Sequence, residues 1–284
     1  MMLFRLVTVF VSATVCTVIA LGQERSASSD SAASGLAATD DPDLSGAAFH
    51  PVAGVVGVAL PRNSKPEPRV NWPGAIKESL YFLSIQHAFR LATEPGTRAE
   101  LKGPFFKDWM ESIRGYDGWK DGDPALVNYV GHPMMGSVSG RIYLQNERDG
   151  KSQTFGRSKA YWHSRLRAML FTAAYSTMFE LGPISEASIG NVGKNARTSG
   201  VVDLVVTPTI GTGWLIAEDI VDRYIIDRLE RRVKNRVAKI FLRGIFNPSR
   251  SFASALGGHE PWIRYDRGGV WYPPSTGAAN ARIP

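Results

Sequence analysis

The sequence predicts an all-α protein, a single compact bundle of about six or seven helices behind an extended, low-complexity N-terminal segment. Three observations carry this. A capping residue with a proline close behind it recurs at Asn71-Trp72-Pro73, Asp123-Pro124 and Asn247-Pro248, and each opens an apolar-rich run. The segment before residue 71 has the opposite composition, rich in Ser, Ala, Asp and Gly over 23–48, with prolines at 61, 66 and 68. No repeat of solenoid length divides the chain, so 71–256 is read as one domain.

Residues 1–22 read as a signal peptide. Arg5 precedes an apolar run from Leu6 to Leu21, and Ala20-Leu21-Gly22 supplies small residues for cleavage before Gln23. The run is about sixteen residues long, short of the roughly twenty a span requires. A retained N-terminal helix anchoring the chain is the alternative. Cys16, the only cysteine, lies inside the run and not at its end, so lipidation is not expected, and a cleaved chain has neither disulfides nor thiolate metal sites.

Residues 23–70 form a linker, disordered or extended. Asn71 then caps a helix that runs to about Thr93, with Ile76, Leu80, Leu83 and Ile85 opening its apolar pattern. Pro104 opens a shorter helix through Arg114, with Phe105, Trp109 and Ile113 spaced by four, stopped by Gly115 and Gly118. Asp123-Pro124 starts a helix to about Gln145, kinked by Pro133. The next covers Ser158 to Leu181 and ends at Gly182-Pro183. Val201 to Val206 is a β-branched run ended by Pro208, strand or helix by pattern and taken as helix. A long helix is expected from Gly213 to about Arg243 and a short one from Asn247-Pro248 to Leu256. Residues 257–284 read as an irregular tail. Short loops predict antiparallel neighbours.

The formal charge of +7 and a pI near 9.6 favour acidic partners. Export directs that preference to a membrane surface or anionic lipid, with an envelope protein as a further partner and no nucleic acid expected. The stretch Arg228 to Arg243 carries Arg231, Arg232, Arg236 and Lys239 among apolar residues at helical spacing, which reads as a basic amphipathic helix on a membrane or as the solvated face of a bundle helix. Oligomeric state leaves no mark in the pattern.

Asn128, His132, Gly136 and Gly140 are spaced by four and share one helix stripe. Such glycines let another backbone approach, with His132 in the crossing either as a packed structural histidine or as a reactive one. Glu180 ends an apolar helix. If buried it needs a raised pKa or a cation, for which Arg90 and Arg141 are available. His87, Arg90 and Glu94 lie near one face of the first helix, suited to an anion or to a solvated stripe with a local ion pair. Asp203 and Glu218 are further acids in apolar surroundings, and Asp203 is also placed to cap a helix. His132, Glu180 and Asp203 are the catalytic candidates; Asn128, His87, Arg90 and the four basic residues are binding candidates. No His-x-x-x-His or Glu-x-x-His pair supports a metal site, and no cofactor is expected. Phosphate-loop, GxSxG and dinucleotide fingerprints do not occur.

The order Asn128-Tyr129-Val130-Gly131-His132-Pro133-Met134-Met135-Gly136, Phe179-Glu180-Leu181, Asp203 through Gly211, and Asn247-Pro248-Ser249-Arg250 resembles a family of bacterial cell-envelope proteins of uncharacterised function. The likeness covers about residues 75–256, and Asn-x-x-Gly-His-Pro-x-x-Gly is its most specific element. Some relatives carry a β-barrel after the helical region, whereas this sequence continues in a short tail. The resemblance implies a periplasmic or membrane-face location, supplies no reaction, and draws attention to Asn128, His132, Glu180 and Asp203. The expected function is a non-enzymatic, membrane-associated scaffold or lipid- or protein-binding bundle; the alternative is a hydrolase or lipid-modifying enzyme with a His/carboxylate site between helices.

Overall fold

Helix α1 spans Trp72–Thr93, with the Gly74 N–H donating to Asn71 Oδ1 at 3.3 Å and a proline in the first turn, as the capping signature requires. The computed structural model describes residues 69–121, 123–194 and 200–270. The expected signal peptide, nearly all of the expected linker and the tail beyond residue 270 lie outside the described residues. After α1 come α2 (Pro95–Glu100), α3 (Phe105–Arg114), a π-turn at Val127–Gly131 leading into α4 (His132–Asn146), α5 (Lys159–Leu181) and α6 (Glu186–Ile189). Then follow α7 (Val202–Val221), a second π-turn at Asp222–Ile226, α8 (Asp227–Arg232), α9 (Arg236–Phe246) and α10 (Pro248–Leu256). The fold is all-α; among the described residues the only β pairing is one isolated antiparallel bridge, Val70 to Glu147.

Two boundaries differ from expectation. Pro208 does not end a segment: α7 passes through it, and the helix continues to Arg232. The proline removes one ladder hydrogen bond, but tertiary packing holds the turn, since Pro208 is buried and neighbouring Thr207 and Gly211 seat against α4. The helix expected to run unbroken to Arg243 instead stops at Arg232. Val233 is extended, and Asn235 accepts from the Ala238 N–H at 3.2 Å to cap a new helix, α9. At Pro133 the chain accommodates the ring with the wide π-turn just before it.

Helix α4 is the centre of the bundle, buried along nearly its whole length and packed against α1, α5, α7 and α10. Its neighbours in sequence are antiparallel, as expected: Ser139 meets Thr172 of α5, and farther along Glu147 meets Arg167. Against α7, however, α4 is parallel. His132 lies beside Asp203, Gly136 beside Thr207, Gly140 beside Leu215 and Arg141 beside Asp219. A Cβ on Gly136 would collide with the Thr207 carbonyl oxygen, and one on Gly211 would stand 2.8 Å from the Pro133 carbonyl oxygen. The glycine stripe therefore makes a backbone-to-backbone crossing.

The polarity of the bundle is unusual. Two apolar clusters, Phe82 with Val138, Ile142 and Ala253, and Tyr143 with Leu144, Ala168 and Leu215, share the interior with buried Ser137, Ser139, Ser164, Thr172 and Ser176. Large apolar side chains point outward on α1, α5, α7 and α9, among them Ile76, Leu80, Leu166, Leu170, Ile210, Phe241 and Ile245. The described part of the C-terminal segment is irregular but not loose. Trp262 and Arg264 are buried, and Arg243 Nη1 donates to the Trp262 carbonyl at 2.8 Å.

Candidate functional site

The parallel pair α4 and α7, with α5 running the other way, brings three remote positions to one end of the bundle. His132 opens α4, Asp203 lies in the first turn of α7, and Glu180 occupies the last turn of α5. One ligand-type atom from each lies within 4.8 Å of the other two. His132 Nε2 is 3.5 Å from Asp203 Oδ2, and the Tyr116 hydroxyl donates to Glu180 Oε2 at 3.2 Å. Asp121 extends the group, because its carboxyl is in hydrogen-bonding contact with that of Asp203. Asp121 Oδ1 accepts from Asn128 Nδ2 at 2.8 Å and from the Asp123 N–H at 3.0 Å. Asn128 thus orients an acid at the rim of the centre.

The charges are poorly balanced. Burial, with Asp121 and then Glu186 beside it, pushes the Asp203 carboxyl up to about 9. Burial, then Glu186 and Asp203, raise Glu180 well above the ordinary carboxylate range, and burial lowers the His132 imidazole. For Asp121, hydrogen bonds from Asp203, Asn128 and Asp123 outweigh burial and hold it low. Asp203 therefore carries a proton at neutral pH that Asp121 does not, and the two carboxyls share it. Arg90 acts on Glu180 through space, while its direct partners are Glu186, Glu94 at 3.2 Å and Thr97 at 3.1 Å. Four buried oxygens of this centre have no donor among the described residues: Glu180 Oε1, Asp203 Oδ1, Asp121 Oδ2 and Asn128 Oδ1. A neutral imidazole beside a protonated carboxyl is competent for acid–base chemistry, and the same atoms form a ligand set for a cation.

The remaining candidates fall elsewhere. His87 is buried, stacked on Phe179 with centroids 5.3 Å apart and its Nε2 3.2 Å from the Ile184 carbonyl oxygen. The stripe it begins is thus buried at His87, half-buried at Arg90 and exposed at Glu94, and it carries the local Arg90–Glu94 ion pair. Arg231, exposed, pairs with Asp227 at 2.7 Å; Arg232 and Arg236 are exposed and Lys239 half-buried, on two helices and not one. Arg243, counted on the basic stripe, is buried against Glu230. Arg141 does not reach Glu180 either.

It belongs to a second polar centre at the far end of α4 and α7. There Asp219 accepts from Arg141 at 2.7 Å, Arg165 at 2.7 Å, Arg250 at 2.6 Å and the Tyr161 hydroxyl at 3.0 Å. Asp222 pairs with Arg264 at 3.0 Å and Arg267 at 2.9 Å, and Arg267 reaches Glu230 at 3.2 Å. The Asn-Pro-Ser-Arg element is the clamp of this network. Asn247 donates to Asp222 at 2.9 Å, the Ser249 N–H to Glu218 at 3.0 Å, and Arg250 to Asp219. A cleft of about 250 Å³ opens beside it; of the arginines lining it, Arg250 and Arg267 are matched to acids and Arg223 donates to the Phe155 carbonyl. Sequence reading missed this network. The spacing of Asp219, Asp222 and Glu230, close to one stripe of the α7–α8 run, was the available signal.

Comparison with protein-family models, with curated proteins and with solved structures found no match for this chain.

Proposed function

We propose that the chain is an exported bacterial envelope protein that rests on a membrane surface and acts there as a non-enzymatic scaffold or lipid- or protein-binding bundle. The inverted polarity of the bundle is the observation that supports this best. Each large apolar side chain left in water forgoes about 1.5–3 kcal/mol of burial, and contiguous apolar surface on this scale is characteristic of partner or lipid contact. On α9, Val237, Phe241 and Ile245 are spaced by four and all exposed, with Arg236 and Lys239 turned toward the other side of the helix. Such a helix lies in the interface with its basic residues at the headgroups, each worth about 1 kcal/mol near an anionic surface. Among the described residues one helix, Val202–Arg232, is long and apolar enough to cross a membrane, and 39% of its most apolar window is buried inside the bundle.

Flotation of the full chain with vesicles of anionic or zwitterionic lipid tests the reading. Binding is expected to favour anionic vesicles and to drop at least about tenfold when Arg231, Arg232, Arg236 and Lys239 are all changed to Gln. A protein that fails to float with either vesicle removes the membrane role; equal flotation of parent and variant removes the basic residues from it.

A second reading has its own support, the convergence of His132, Glu180 and Asp203. A hydrolase or lipid-modifying enzyme would use His132 as base and a protonated carboxyl as acid. Turnover of ester or phosphoester lipids that His132→Gln abolishes would establish it.

A further inference from the structure

We propose that His132, Glu180 and Asp203 hold a divalent transition-metal ion, with Asp121 as an additional oxygen ligand or as the partner that fixes Asp203. The proposal rests on the geometry of this centre and not on the membrane reading, so flotation neither rescues nor sinks it.

The donor set is the first argument. One imidazole and two or three carboxylates suit Zn2+ or Mn2+, which accept mixed nitrogen and oxygen ligands, and suit Ca2+ or Mg2+ less because of the imidazole. Three ligands from three helices also explain why spacing along the chain carried no metal signature: His132, Glu180 and Asp203 become neighbours only when α5 reverses between the parallel pair. Separation is the second argument. Two ligands at about 2.1 Å from a tetrahedral ion stand roughly 3.4 Å apart; His132 Nε2 and Asp203 Oδ2 are 3.5 Å apart, and the three ligand atoms lie within 4.8 Å. Side-chain rotation closes that difference.

The third argument is independent of the cluster's composition. Glu180 is 4% exposed and its Oε1 meets no donor; Asp203 is 5% exposed and its Oδ1 likewise. Nothing among the described residues donates to Glu180 Oε1 or to Asn128 Oδ1. An oxygen buried without a partner is destabilising, and a cation satisfies several such atoms at once. The surroundings agree: Glu186, Asp121 and Asp123 all act on the centre, opposed by the guanidinium of Arg90. The polar partners already in place, Tyr116 on Glu180 and Asn128 on Asp121, are the outer-shell bonds that orient carboxylate ligands.

The test uses the full chain, without a polyhistidine tag, purified in mild detergent and stripped with a chelator. Calorimetric titration with ZnCl2 and MnCl2 is expected to give one ion per chain, and thermal melts to shift upward with the metal. His132→Gln, Glu180→Gln and Asp203→Asn should each weaken binding by more than the about 10–100-fold that follows loss of an outer-shell partner. His163→Gln, on an exposed residue of α5, should bind like the parent. The amide variants keep the shape of a carboxylic acid, and circular dichroism confirms their fold. Co2+ supplies a second readout, since its visible absorption should lose imidazole character in His132→Gln. Absence of stoichiometric binding overturns the proposal, and so does binding that is equal in parent and all three site variants or that His163→Gln also removes.

Discussion

Replacing Asp219 by Asn removes one negative charge from a point where three guanidiniums converge while keeping the side chain's shape. Asp219 is 2% exposed and accepts charge-assisted bonds from Arg141, Arg165 and Arg250, plus the Tyr161 hydroxyl. The three arginines are not equally dependent on it. Arg141 keeps the Leu215 carbonyl at 2.9 Å and Glu218 at 3.5 Å, and Arg250 keeps Asp222 at 3.7 Å. Arg165, itself buried, keeps the Ser164 hydroxyl, the Gln153 carbonyl and the face of the Tyr161 ring at 4.2 Å, none of them an anion. The variant thus leaves one buried guanidinium without an anion, and breaking a buried pair from one side costs about 3–5 kcal/mol. For a domain of this size that lowers Tm on the order of 10 °C. Thermal and urea melts in detergent, followed by circular dichroism, measure it. Adding Arg165→Met should recover a large part of the loss, because the orphaned charge is then gone. A cost below about 1 kcal/mol for Asp219→Asn, or no recovery in the double variant, would refute the view that Asp219 is the anchor of the network.

Gly136→Ala should destabilise the bundle by about 1–3 kcal/mol or more, since the new methyl meets the Thr207 carbonyl and backbone must move; an unchanged melt would mean that α4 and α7 do not touch there. Acid should unfold the protein early. The arginines outweigh burial and hold the folded Asp219 and Asp222 carboxyls below the usual range, so their contribution is complete above the unfolded value of about 3.9 and is lost as pH falls from there through the folded values. A melting temperature flat between pH 5 and pH 2 would contradict this.

Helix existence was legible where local chemistry decides it. Asn71 with Pro73 and Ser158 before α5 mark starts that the structure keeps, because capping is satisfied within one turn of chain; the start at Asn247-Pro248 is kept too, with the proline in the first turn and Asn247 bonded to Asp222 instead of capping. Pro208 misled because its tolerance depends on packing against α4, which no local window contains. The break at Val233 escaped for the converse reason: its apolar spacing continued the helical pattern, and only the restart at Asn235 signals a stop. At the site, His132, Glu180 and Asp203 were legible as polar residues on apolar helices. Their partners Tyr116 and Asp121 sit in loops rich in polar residues, where one more acid or phenol is unremarkable. The arginine network was hidden because each arginine, read alone, is an ordinary surface residue.

The parallel contact of α4 with α7 also dictates how late this protein can close. His132 and Asp203 are 71 positions apart, and the glycine face of α4 has no lid until α5 has been laid down and the chain has come back up. Contacts at such separation pay loop-closure entropy before they return anything, which slows folding. As the chain is made from its N-terminus, that groove stays uncovered and its polar lining wet until α7, with α8 to α10 still to follow, arrives to seal it.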